Sequence, residues 1–166
     1  MADTARGAVS MTPVVTIIAD SDADAVDAIH HDIKGTLGGK LEYAKADAND
    51  KWVYSTSRDI GTNTDIIPNG TSFTEGGTST TSDHVKYLFI KHSGTTDGST
   101  STSAIVYIAL DGGDPSDGAN TDVIAIEKDE AINLKFKDGL DSGNLHAATS
   151  TGTVRCTIAA ILDDVA

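Results

Sequence analysis

Three observations predict a mainly β chain, an antiparallel β-sandwich of jelly-roll or immunoglobulin-like type. The first is spacing. Residues 84–92 (HVKYLFIKH), 104–110 (AIVYIAL), 122–126 (DVIAI), 131–136 (AINLKF), 144–148 (NLHAA) and 153–162 (TVRCTIAAIL) are short strand patterns separated by Asp/Gly/Ser/Thr turns. The second is the kind of acid present. There are 21 Asp against 4 Glu. Glu suits helices, whereas Asp competes with the backbone for hydrogen bonds and favours turns. The third is the apolar inventory, 39% hydrophobic but only 5% aromatic. It implies a core of Ile, Val, Leu and Ala with Trp52 as its one large anchor.

The 166 residues suffice for one domain with a real core. The expected division is an extended N-terminal arm, 1–13, followed by a single sandwich domain, 14–166, with a long polar loop at 57–83. The arm is small and polar to Pro13, has no periodic apolar pattern, and is expected to be removable without unfolding the sandwich. Val14–Ala19 (VVTIIA) is predicted as the first strand. Residues 21–34 then place Ala25, Val26, Ile29 and Ile33 on one helical face behind the cap-like Ser21 and Asp24, with Gly35 as the stop. This is the one short helix expected. Residues 40–46 (KLEYAKA) and 51–56 (KWVYST) are predicted as strands of a hairpin turning at 47–50. Residues 57–83 are polar apart from Ile60, Ile66, Ile67 and Phe73, with room for a short strand at 64–67. A loop this long is expected to serve a contact.

In the last strand Val154, Cys156, Ile158, Ala160 and Leu162 share one face and Arg155, Thr157, Ala159 and Ile161 the other. Cys156 is thus expected to be a buried, unreactive thiol. Leu88, Ile108, Ile126, Leu134, Val154 and Ile158 are the predicted core.

Net charge is −13, which repels phosphate backbones, so no nucleic-acid partner is expected. No stretch approaches the ~20 apolar residues of a membrane span, and the N-terminal residues lack the apolar run of a secretory signal. One cysteine allows no internal disulfide. A cytoplasmic origin follows as the expectation.

No constellation of catalytic residues emerges, and no catalytic, cofactor or metal residue is assigned. Asp20, Asp22 and Asp24 match the first three positions of a calcium loop, but Ala25 stands where the turn glycine belongs and His31 where the bidentate Glu belongs. Asp111, Asp114, Asp117 and Asp122 share one loop among glycines and Pro115, and turn chemistry accounts for them. His30 and His31 point to different helix faces, while His84, His92 and His146 are scattered without zinc-site spacing. There is no G-x-S-x-G elbow, and Gly38-Gly39-Lys40 lacks the rest of a phosphate-binding loop.

The order YLFIKHSG, AIVYIALDGG, VIAIEKDEAINLKF, NLHAATSTGTVRCTIAAIL over 84–162 resembles small β-sandwich virion proteins of tailed bacteriophages, capsid decoration or cement proteins in particular. The resemblance covers about the C-terminal half. It implies a non-enzymatic structural protein on the capsid exterior, made in the host cytoplasm. It also implies a major capsid protein or another virion protein as partner, and a homo-oligomer, a trimer, as its state. The alternatives are a tail, neck or fibre component of such a particle, or a carbohydrate- or calcium-binding β-sandwich module.

Overall fold

The computed structural model describes residues 4–9, 39–44, 51–70, 73, 79, 83–116 and 122–164. The strands are β1 (Thr4–Val9), β2 (Gly39–Ala44), β3 (Lys51–Ile60), β4 (Thr64–Asp65), β5 (Asp83–His92), β6 (Val106–Ala109), β7 (Ile124–Ile126), β8 (Ala131–Asp141), β9 (His146–Thr149) and β10 (Val154–Asp164). The single helical turn among the described residues is a 3₁₀ turn, Ser142–Asn144, capped by the Asp141 carboxylate. The fold is mainly β and sandwich-like. Two four-stranded antiparallel sheets run β3-β10-β5-β8 and β4-β9-β6-β7, and β1 pairs with β2 as a separate antiparallel ribbon.

Alternation in β10 sets the plan. Val154, Cys156, Ile158, Ala160 and Leu162 are all fully buried, and Ile158 sits in register between Ser55 of β3 and Ile90 of β5. From the facing sheet Val106, Ile108, Ile126 and Ala147 meet these residues in one continuous core. Five of the six predicted core residues are buried as expected. Leu134 is half-buried, because β8 is an edge strand and its inward side chains are covered from one flank only.

Several boundaries differ from the sequence reading. β8 and β10 are longer, and β3 continues through 57–60, so the expected loop starts later. The predicted hairpin of 40–46 with 51–56 does not form. β2 pairs with β1, while β3 lies against β10 and places Val53 in the core. Burial of that valine between two sheets outweighs a local turn signal. The short strand expected within 64–67 is β4, and Ile66 and Ile67 after it are core residues. The Ile66 amide donates to the Leu145 carbonyl at 2.9 Å, extending the β4–β9 pairing by one residue. The strand at 14–19 and the helix at 21–34 lie outside the described residues, as do residues 1–3 and 10–13 of the arm; its residues 4–9 are β1.

Two loops are closed by their own backbone groups. The Gly70 amide donates to the Ser79 carbonyl at 2.9 Å and the Ser79 hydroxyl donates to the Pro68 carbonyl. Ser79 is thereby held beside Pro68 and Gly70. The acidic turn Glu127–Glu130 closes with the Glu130 amide on the Glu127 carbonyl at 3.0 Å and the Glu127 amide on the Glu130 carboxylate at 2.8 Å.

Candidate functional site

Three groups of polar side chains stand out among the described residues. The first is the β5–β6 connection, chiefly Ser93–Ser103 of residues 93–105. Asp97 accepts from the Ser99 and Thr100 amides at 2.8 and 2.7 Å and from both hydroxyls at 2.9 and 3.0 Å. These donors, the Thr100 amide foremost, hold its carboxyl well below the usual carboxylate range. Arg155 on β10 anchors the loop. Its guanidinium grips Asp59 in a bidentate pair at 2.8 and 3.2 Å and donates to the Asp97 carbonyl. The bond to Asp59 is the main cause of the raised Arg155 pKa. Gly98 (φ 95°) passes so close that an added Cβ would lie 3.2 Å from the Arg155 Nη1. Beneath, fully buried His92 accepts the Gly94 amide on Nδ1 at 2.8 Å and places Nε2 2.8 Å from the Ala104 carbonyl. With Nδ1 an acceptor, Nε2 carries the proton, so the ring is a neutral strut. All of these groups are engaged in holding the loop.

The second place joins Arg58, Asp65 and His146. Asp65 and His146 are register partners, with Oδ1 3.3 Å from Nε2. Arg58 donates to the Asp65 carbonyl. Burial lowers the Arg58 pKa, with Asp65 and Asp59 opposing it. Arg58 Nε and His146 Nδ1 are buried without a hydrogen-bond partner. Among the described residues no nucleophile is hydrogen-bonded to this imidazole, so the arrangement is half of a catalytic set.

The third is the β6–β7 loop. Asp111 accepts the Gly113 amide at 2.9 Å, and Asp114 accepts the Ser116 amide and hydroxyl at 2.8 and 2.7 Å. Those oxygens organise their own turns. Asp117 falls outside the described residues, and among those described no three His, Cys, Asp or Glu side chains gather as a metal site would require. Asp20, Asp22, Asp24, His30 and His31 also fall outside. Among the described residues no helix is long and apolar enough to cross a membrane.

Cys156 faces the core. Burial first, and Asp59 second, push its thiol up to about 12, so almost no thiolate exists near neutrality. In native buffer at pH 8 it is expected to resist a thiol-reactive chromogenic disulfide and to react once guanidinium unfolds the chain. Rapid labelling of the folded protein would show that β10 opens or is misplaced.

Sequence reasoning did not single out the outward face of the β3-β10-β5-β8 sheet. There Tyr87 and Ile161 are buried and Phe89 packs on them, away from the main core. Tyr54 and Ala159 are register partners on the same face. The available signal was the second apolar stripe of β5 and β10, whose strands alternate but are apolar on both sides. Comparison with protein-family models, curated proteins and solved structures returns no match.

Proposed function

We propose that the chain is a non-enzymatic structural protein of a bacteriophage particle, decorating the capsid exterior and bridging neighbouring shell subunits. The observation that carries the reading is strand order. Counted from β3, the eight strands run 1-8-3-6 in one sheet and 2-7-4-5 in the other. That interleaving is the arrangement of a jelly roll with two Greek keys, an architecture used by viral capsid domains. It favours the jelly roll over the immunoglobulin-like form, whose sheets are ABED and CFG.

The charge supports a protein partner. At −13 the surface repels nucleic-acid phosphates. Bridging would work by burying the arm residues outside β1, 1–3 and 10–13, and the polar residues of the loop 57–83 against adjacent subunits, adding contacts at seams where the shell is stressed. Homotrimeric association would present three such arms together. The carbohydrate- or calcium-binding alternative gains nothing from the β6–β7 loop, where Asp111 and Asp114 hold their own turns.

The experiment is quantitative mass spectrometry of purified virions against an isotope-labelled standard of this chain. A copy number comparable to that of the shell subunits is expected. A number matching the ring of a neck or tail replaces the decoration reading with the tail alternative. Undetectable protein in intact particles overturns both.

A further inference from the structure

On the face of the β3-β10-β5-β8 sheet that points away from the core, Tyr87, Ala159 and Ile161 are only 3%, 5% and 5% exposed. Flanking side chains on a bare sheet shield a residue's sides, not its top. These values belong to one chain with no partner present, so the chain itself supplies the cover.

The ribbon of β1 and β2 is placed to provide it. β2 lies against β8, yet the two share no ladder, since the ribbon forms its own sheet. The inward face is filled by the other sheet, so β2 meets β8 away from that core. Residues 45–50 alone join β2 to β3, a tether of about 25 Å at most. It holds the ribbon near Lys51, the end of the sheet where Leu162 pairs with Lys51 and Ile161 with Tyr87. A two-stranded ribbon is marginal on its own in water and needs a surface to pack on.

We infer that the outward face carrying Tyr87, Phe89 and Ile161 is a docking face, and that its occupant is the chain's own β1–β2 ribbon. The ribbon shares no ladder with that sheet. The inference is independent of any role in a virion.

The test is hydrogen–deuterium exchange on the full-length protein, comparing wild type with Ile161→Asp. Amides of 4–9 and 39–44 are expected to lose about tenfold or more of their protection, while those of β6 and β9 keep theirs. Phe89→Ser, a milder change at a partly buried position, decides the matter if Ile161→Asp fails to fold. Unchanged ribbon protection in the variant that folds overturns the inference. Ribbon protection that rises with wild-type protein concentration also overturns it, because the occupant would then be a second copy's ribbon.

Discussion

Ile158→Ala is expected to destabilise the protein by about 2–5 kcal/mol. Ile158 is fully buried at the middle of β10, the strand that pairs with both β3 and β5. Its neighbours belong to hydrogen-bonded ladders on both sides, so they cannot move in to fill the space a missing side chain leaves. The cost therefore combines lost transfer free energy with a residual cavity. Equilibrium urea unfolding followed by tryptophan fluorescence provides the measurement. A loss below about 0.5 kcal/mol, the range of ordinary surface changes, would mean that β10 is not the centre of the core.

His92→Leu is expected to cost a similar amount, on the order of 2–5 kcal/mol, for a different reason. The substitution keeps an apolar group of moderate size but strips both hydrogen bonds from a dry site. The Gly94 amide and the Ala104 carbonyl are left unsatisfied, at about 1–3 kcal/mol each. Loss should also be local, since Gly94 opens the β5–β6 loop and Ala104 closes it. Urea unfolding gives the total, and amide exchange at Gly94 reports the loop. If stability holds and Gly94 stays protected, the imidazole is not the strut described above.

The later strands were legible because period-two alternation and Asp/Gly turns coincide there. The β10 faces read off the sequence are the faces observed, down to the buried Cys156. Segment 57–83 reads as a loop because its composition is polar, yet its isoleucines Ile60, Ile66 and Ile67 are core residues. Their partners, Leu145 among them, are about eighty residues on, and no local pattern reveals a contact at that separation. Partnership in sheets was least legible. The turn at 47–50 reads as a hairpin, yet β3 pairs with the last strand of the chain. The β5–β6 loop was likewise unreadable, since its order depends on Arg155, far along the chain and joined to it only in space.

The edge strand β8 carries one more consequence. A long strand at a sheet margin offers free amides and carbonyls to any other extended chain. β8 runs for eleven residues and would be an obvious template for runaway strand stacking. It is guarded against that. Lys135, Lys137 and Asp138 are exposed along it, and its register with β5 breaks between Val85 and Tyr87. Nearby, Gly139 takes φ 81°, where a Cβ would lie 2.8 Å from that of His84. Charge and kink together make the margin a poor template. Molecules of this protein crowded side by side can thus stay discrete, without fusing into a continuous fibrous sheet.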